Sequence, residues 1–260
     1  MELIFILFLI FVGLFAGCMS GLLGVGGGFV FAPAMFFVLQ ASGVPEDAAL
    51  LTAFGTSLAA ALPTVLTGAL SHTKQGNVIW RDALIMGGAG ILTGFLGGTA
   101  ATYLPVRVLT ILFAAVLIVG AVRMVTTLPA GENTRMKAPL AAGIGGISGF
   151  FSGLLGVGGG TILVPLMTML GKFSMKKAAA TSSAAIVFIT LGGIGSYLLN
   201  GYFDLLMWVI LVICAVPAAA VSSRIRVSDV WLRRMFAVLM AGIALHMLGV
   251  FEWITAMISW

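Results

Sequence analysis

The strongest constraint on this fold is an eight-residue, glycine-rich segment that occurs twice. The run Gly-Leu-Leu-Gly-Val-Gly-Gly-Gly fills positions 21–28 and again positions 153–160, which is 132 residues later. A proline follows each copy at the same distance, at Pro33 and Pro165. A repeat of this length indicates that one structural unit is built twice. The chain is therefore predicted to consist of two homologous halves.

The correspondence between the halves extends over nearly the whole chain. After small deletions the offset becomes 125, and two hydroxyl residues in one half match two in the other: Thr56, Ser57, Thr181 and Ser182. A segment containing a proline and a glycine lies between the halves and is typical of a linker. We predict a first repeat over 1–126, a cytoplasmic linker over 127–137 and a second repeat over 138–260, together forming one transmembrane domain.

The composition excludes a soluble domain. Of the 260 residues, 61% are hydrophobic and only 8% are charged, and the mean hydropathy is +1.20, whereas soluble domains carry about 25% charged residues. The segment 3–16 has no cleavage site after it and is expected to belong to the mature protein. Stretches long enough to span a hydrocarbon core of ~30 Å recur at 51–70, 84–104, 108–125, 178–199 and 205–221.

Several classes of function are disfavoured by what the chain lacks. Its two cysteines and two histidines do not have metal-ligand spacing, so no metal or cofactor is predicted. The net charge of +5 comes from basic residues in short loops between apolar segments, which is a topology signal rather than a sign of nucleic-acid binding. An enzyme is not expected, because the sequence has no His-Glu-x-x-His motif and no paired intramembrane aspartates.

The distribution of basic residues discriminates between two topologies. If the segment leading each half is a hairpin, 12 of the 13 lysines and arginines lie on the cytoplasmic side and only Arg107 lies outside. If that segment crosses once, the basic residues divide five against eight. The hairpin topology gives each half an odd number of elements, so the halves insert in opposite orientations. Both termini are then extracytoplasmic, in a bacterial-type inner membrane.

The predicted fold is thus an all-α integral membrane protein with two inverted repeats of about five helical elements each. A glycine-tipped helical hairpin leads each repeat. The segments after the two glycine motifs, 29–40 and 161–170, would form ~15–18 Å of helix and cannot cross the membrane alone. Scattered glycines at other positions are expected to serve close helix packing: Gly87, Gly94, Gly98 and Gly192.

The glycine tips are the candidate substrate site. Non-helical backbone at membrane depth is tolerated where it lines a cavity, and a half-helix starting there presents unpaired N–H groups and the positive end of its dipole. Such a site binds anions without a buried cation. Pro33 and Pro165 mark the half-helices and candidate hinges. The predicted tip residues are Gly26, Gly27, Gly28, Gly158, Gly159 and Gly160.

Hydroxyl residues at matching positions are further candidates. They could donate hydrogen bonds to an oxyanion, or they could bond back to carbonyls of their own helices. His246 is a candidate proton relay, because an ionisable group inside a span is by default a functional candidate, although it could also lie at the membrane interface. The hydroxyl residues are Ser20, Ser152, Thr56, Ser57, Thr181 and Ser182.

The duplicated glycine motif, the proline five residues after each copy and the triplet Gly55-Thr56-Ser57 resemble the TauE/SafE sulfite exporter family, also called the toluenesulfonate uptake permeases. The second half departs from this pattern, with Ala180 in place of the glycine. The resemblance implies transport, often outward, of sulfite, thiosulfate, sulfonates or related anions, with coupling to the proton gradient.

The sequence therefore favours a secondary transporter that exports a small sulfur-containing or organic anion. It would work by alternating access, with one half rocking against the other around the glycine tips. The expected partners are the anionic substrate and the lipid bilayer. Homo-oligomerisation is left open by the sequence. The alternative is a channel for small anions or for a neutral solute.

Overall fold

The computed structural model describes residues 3–126, 135–225 and 228–247, and these ranges are helical apart from short connections. Ten helices follow one another along the described chain. The first half contains α1 (Leu3–Leu23), α2 (Gly28–Ala41), α3 (Glu46–Lys74), α4 (Trp80–Ala101) and α5 (Val106–Thr126). The second half contains α6 (Ala138–Leu155), α7 (Gly160–Met169), α8 (Met175–Leu199), α9 (Leu205–Ser222) and α10 (Asp229–Met247).

Six of the described helices are long and apolar enough to cross a membrane: α1, α3, α4, α6, α8 and α9. The helices α2 and α7 are not, because they contain 14 and 10 residues, or roughly 21 and 15 Å at 1.5 Å per residue. They begin within one residue of the predicted starts of the half-helices. The prediction of an interrupted leading segment in each half is confirmed.

Close glycine contacts connect the leading helix of each half to the fourth helix of the other half. Gly13 and Gly17 of α1 lie against α9, at Leu211 and Ala215. In the second half, Gly149 of α6 lies against Gly90 of α4. Small residues at four-residue spacing let helix backbones approach this closely. The scattered glycines Gly87, Gly94, Gly98 and Gly192 also contact neighbouring helices, as predicted.

The equivalent helices α3 and α8 pack against each other at the centre and run in opposite directions. Near the middle of α3, Leu58 lies against Gly193, which is late in α8. Near the end of α3, an ideal Cβ on Gly68 would lie 3.9 Å from the hydroxyl oxygen of Ser183, which is early in α8. The half-helix α2 packs on α3, and α7 packs on α8. The tip residues before the half-helices lie near the middle of the central helices, with Gly26 beside Ala61 of α3 and Gly159 beside Ile189 of α8.

A buried carboxylate fixes the residues that precede the second half. Asp82, in the first turn of α4, is fully buried and accepts a hydrogen bond of 2.9 Å from the backbone N–H of Met136. It also forms an ion pair of 3.2 Å with Arg81, whose guanidinium donates to the carbonyl of Met136. The entry to α6 is thus attached to the start of α4.

Candidate functional site

The two glycine tips touch each other. Residues 24–28 and 156–160 are all buried, and Val25 of the first tip packs directly on the Cα of Gly160. In the reciprocal contact, an ideal Cβ on Gly28 would lie 2.8 Å from the carbonyl carbon of Val157. The structure therefore brings together the predicted residues Gly26, Gly27, Gly28, Gly158, Gly159 and Gly160, in a conformation that closes them off from bulk solvent.

The backbone of the two tips has the same conformation. Gly27 and Gly159 are the N-caps of α2 and α7, with φ angles of 72° and 78°. These angles are in the left-handed region, which glycine adopts without the steric cost that a Cβ brings. Neither N-cap is satisfied by a side chain. The first amides of both half-helices therefore lack an intrahelical acceptor and lie at the positive end of the helix dipole.

Serine hydroxyls from the central helices hold the carbonyls of the tips. The Ser57 hydroxyl of α3 donates to the carbonyl of Gly156 in the second tip, at 2.5 Å. The Ser182 hydroxyl of α8 donates to the carbonyl of Gly24 in the first tip, at 3.0 Å. Each hydroxyl also lies within hydrogen-bonding distance of a carbonyl of its own helix. Each tip is thus attached to the other half of the molecule by a matching interaction.

The neighbouring threonines make a second reciprocal pair. The hydroxyl of Thr56 accepts a hydrogen bond of 2.9 Å from the backbone N–H of Asp204. The hydroxyl of Thr181 accepts one of 3.1 Å from the backbone N–H of Ile79. Both amides belong to the connections that lead into the fourth helices, α9 and α4. The structure therefore places these predicted hydroxyls at backbone groups of the opposite half.

The remaining predicted residues lie around the tips. Ser152 is fully buried, its hydroxyl has no hydrogen-bond partner among the described residues, and its Oγ lies 3.5 Å from an ideal Cβ on Gly159. Ser20 is buried, and its carbonyl accepts from the amide of Gly24 at 2.8 Å. Pro33 and Pro165 lie inside the half-helices. His246 falls in α10, and its side chain is outside the part of the chain that the structure describes.

Sequence reasoning missed several residues near the tips. The Tyr197 hydroxyl of α8 is buried and donates to the carbonyl of Gly153, one turn before the second tip, at 2.9 Å. A tyrosine in an apolar helix is a usable signal, because a buried phenol needs a hydrogen-bond partner. Ser148 and Thr161 are buried, and their hydroxyls have no partner within the described residues.

A basic cleft lies between the ends of α3 and α9. It encloses about 440 Å³. Lys74 and Arg224 contribute two positive charges to it, and no carboxylate of the described residues lines it. Thr67, Ser71 and Gln75 add polar groups. At the corresponding end of α8, the residue equivalent to Lys74 is Leu199, which is apolar. The two central helices therefore end in different electrostatic environments.

Together, the apolar helices, the half-helices and their buried glycine tips define a multi-pass, all-helical membrane protein with a polar backbone centre suited to transport. The chain belongs to the TauE/SafE sulfite exporter family, whose family model matches residues 9–247.

Two similar proteins carry the name "probable membrane transporter protein". One, from Haemophilus influenzae, is 33% identical over 205 residues, which cover 78% of this chain and 77% of the relative. The other, from Methanocaldococcus jannaschii, is 31% identical over 193 residues, which cover 73% and 71% of the two chains. The protein is thus a multi-pass membrane transporter.

Proposed function

We propose that this protein is a secondary transporter that exports a small sulfur-containing or organic anion, such as sulfite, thiosulfate or a sulfonate. The observation that carries the proposal is the meeting of two half-helix N-termini at buried glycine tips. Amides and positive dipole ends that converge in a water-poor region favour an anion. The family name adds support for a sulfur oxyanion.

The mechanism we propose is alternating access between inverted halves. The opposite directions of α3 and α8, which are equivalent helices, support an inverted relation between the halves. The exchanged contacts, with Ser57 on the second tip and Ser182 on the first, support a motion in which each tip moves with the central helix of the other half. In the closed conformation seen here, Val25 and Val157 would shield the site from both sides.

The basic cleft supports an anionic substrate independently of the tips. Lys74 and Arg224 create a positive potential at one end of α3 and α9, and such a potential raises the local concentration of anions. In the proposed topology this end is cytoplasmic, which suits loading of the substrate for export. The protein would lie in the inner membrane, with both termini outside.

Counterflow in proteoliposomes tests the function. Vesicles loaded with unlabelled sulfite, thiosulfate or benzenesulfonate should accumulate the labelled anion from outside at a saturable rate. This is expected because a carrier exchanges one bound anion for another as its binding site faces each side of the membrane in turn. A channel would give flux that does not saturate and would show no counterflow. An anion-independent flux of a neutral solute would also contradict the proposal.

Accessibility labelling tests the inverted topology. Cys18 and Cys214 are first replaced by serine, and single cysteines are introduced at Ser42 and Lys172, which follow the two half-helices. A membrane-impermeant maleimide should label Ser42→Cys from the outside and Lys172→Cys only after the membrane is opened. Labelling of both positions from one side would contradict the inverted arrangement.

Coupling to protons is proposed to involve His246. If this histidine relays protons, the variant His246→Gln should still perform counterflow, while losing transport driven by an imposed pH gradient. Equal loss of both activities would indicate a structural role for His246.

A further inference from the structure

Among the residues that the structure describes, the buried hydroxyl groups without a hydrogen-bond partner all lie in the second hairpin. In the described ranges, such hydroxyls are found at Ser148 and Ser152 of α6 and at Thr161, the second residue of α7. All three residues are at most 1% exposed. A buried polar group is normally paired, so an unpaired one indicates a missing partner such as water, an ion or a ligand.

The three hydroxyls differ from other buried hydroxyls in the same membrane-spanning region. Thr64, Thr190 and Ser183 each donate to a carbonyl four residues earlier in their own helix, at 2.8 to 2.9 Å. This internal bond is the ordinary solution for a serine or threonine in an apolar helix. Ser148, Ser152 and Thr161 do not make it, so their donors remain available to another molecule.

Two of the three residues adjoin the second tip, and Ser148 lies farther from it along α6. Ser148 and Ser152 are one helical turn apart and share a face of α6. The hydroxyl of Ser152 lies beside Gly159, the N-cap of α7, and Thr161 follows that N-cap by two residues. The first amides of this ten-residue helix therefore adjoin two free hydroxyls.

The first tip offers only one hydroxyl at an equivalent position, that of Ser20, which the 132-residue offset pairs with Ser152. The 132-residue offset pairs Ser148 with Ala16 and Thr161 with Phe29, so two of the three hydroxyls have apolar counterparts. The space beside Gly27 is taken by the ring of Phe31, whose Cε2 lies 3.0 Å from an ideal Cβ on the glycine. Beside Gly159 the nearest atoms to an ideal Cβ are Cβ and Oγ of Ser152 and Cγ2 of Ile189, at 3.4 to 3.5 Å.

We propose that the substrate anion binds at the second tip, where Ser152, Thr161 and the first amides of α7 donate to its oxygens and Ser148 extends the site along α6. This inference rests on the proposed function and deepens it. The ligand class is an oxyanion with several oxygens on one centre, such as sulfite, thiosulfate or a sulfonate. The first tip is the apolar cover of the site, because Val25 packs on Gly160.

Binding measurements on the purified full-length protein test the asymmetry. Titration calorimetry with sulfite, sulfate, thiosulfate and benzenesulfonate identifies an anion that binds the wild type. The same anion is then titrated into Ser152→Ala, Thr161→Val and Ser148→Ala, and into the matched first-hairpin variant Ser20→Ala. The loss of a hydrogen bond to a charged group should raise Kd about tenfold or more in Ser152→Ala and Thr161→Val. Ser20→Ala should change Kd less than about twofold.

Thermal unfolding separates binding from folding. Removing an unpaired buried hydroxyl, by Ser→Ala or by the nearly isosteric Thr→Val, should leave the melting temperature of the ligand-free protein unchanged or higher. The hydroxyl-retaining variant Thr161→Ser should bind nearly as tightly as the wild type. The asymmetric site is wrong if the wild type binds an anion and the second-hairpin variants bind it equally well. It is also wrong if Ser20→Ala weakens binding as much as Ser152→Ala does. In both cases the transporter proposal stands. Absence of binding by the wild type to all four anions would overturn both.

Discussion

The first hairpin, α1 with α2, and the second, α6 with α7, have matching backbones and different surroundings. In both, left-handed glycines turn the chain, and one serine from the opposite half holds a tip carbonyl. Beside the first tip, however, the ring of Phe31 fills the space next to Gly27. Beside the second tip, the corresponding space next to Gly159 contains Ser152, whose hydroxyl has no hydrogen-bond partner in the described part of the chain.

This comparison separates two kinds of constraint. The glycines that touch backbone of the other half admit no side chain, so both copies of the unit need them to close the fold. The residues that face the space at the tips can differ without disturbing this closure. We infer that the repeat provides the scaffold of the transporter, while differences between its copies provide the chemistry of the site.

The largest expected effect concerns the shared scaffold. A methyl group at Gly24 would overlap the carbonyl oxygen of Ala179, and one at Gly156 would lie 2.5 Å from the Cα of Phe54. Left-handed strain of about 1–2 kcal/mol adds to an overpacking cost of about 1–3 kcal/mol. Gly24→Ala and Gly156→Ala should therefore each lose at least about 2 kcal/mol of unfolding free energy, measured by thermal unfolding and by the yield of monodisperse protein.

The control for these variants is Gly43→Ala. Gly43 also has a positive φ, of 83°, but an ideal Cβ there has no atom within 4 Å. The Gly43→Ala variant should lose only about 1–2 kcal/mol of unfolding free energy, which is the cost of the left-handed conformation. Equal losses in Gly43→Ala and Gly24→Ala would show that contact with the opposite half does not limit this position.

The next effect tests the difference between the tips. In Gly27→Ala the new methyl group meets the ring of Phe31 at 3.0 Å, whereas in Gly159→Ala it meets Ser152 at an ordinary contact distance of 3.4 Å. Gly27→Ala should therefore be the less stable variant, by about 1 kcal/mol.

Gly159→Ala should fold but transport at least about tenfold more slowly, because the methyl group occupies the space proposed for the anion. Proteoliposome counterflow and thermal unfolding measure both quantities, and a normal rate in Gly159→Ala would contradict the proposed site.

A smaller effect tests the matching serines. Ser57→Ala and Ser182→Ala each remove a hydrogen bond to the opposite tip and should lower the unfolding free energy by similar amounts, about 0.6–1.5 kcal/mol. The matched control is Ser183→Ala, because this hydroxyl donates to the carbonyl of Ala179 in its own helix. It should change stability by less than about 0.5 kcal/mol. Thermal unfolding that gave all three variants the same loss would argue against a role of the serines in joining the halves.

Much of this scaffold was predictable from the sequence. Hydropathy located the spans, and the duplicated motif located both interruptions, because glycine runs inside apolar segments have few other physical explanations. The half-helices begin at Gly28 and Gly160, one residue from the predicted starts. Charge counting predicted a hairpin at the start of each half.

The partners of individual side chains were not predictable. Ser57 and Gly156 are 99 residues apart in the chain, and their contact depends on how α3 packs against the second hairpin. Asp82 lies just before the predicted span 84–104, yet it is fully buried, and its carboxylate accepts a hydrogen bond from Met136 in the segment before α6. The hydroxyls of Ser148 and Thr161 have no partner among the described residues because of how their side chains are oriented, and a sequence pattern does not report side-chain orientation.

The smallest expected effect extends the comparison to the ends of the central helices. Lys74 and Arg224 charge the cleft at the end of α3, whereas α8 ends at the apolar Leu199. Lys74→Gln and Arg224→Gln should each raise KM about two- to threefold at low ionic strength without changing kcat, because these charges concentrate the anion but do not bind it at the tips. At ~1 M salt, where the Debye length is about 3 Å, the variants should match the wild type. Arg107→Gln is the control, since Arg107 is exposed at the start of α5 and outside this cleft. An equal change in KM for Arg107→Gln, or a change that salt leaves intact, would indicate that the cleft does not attract the substrate by its charge.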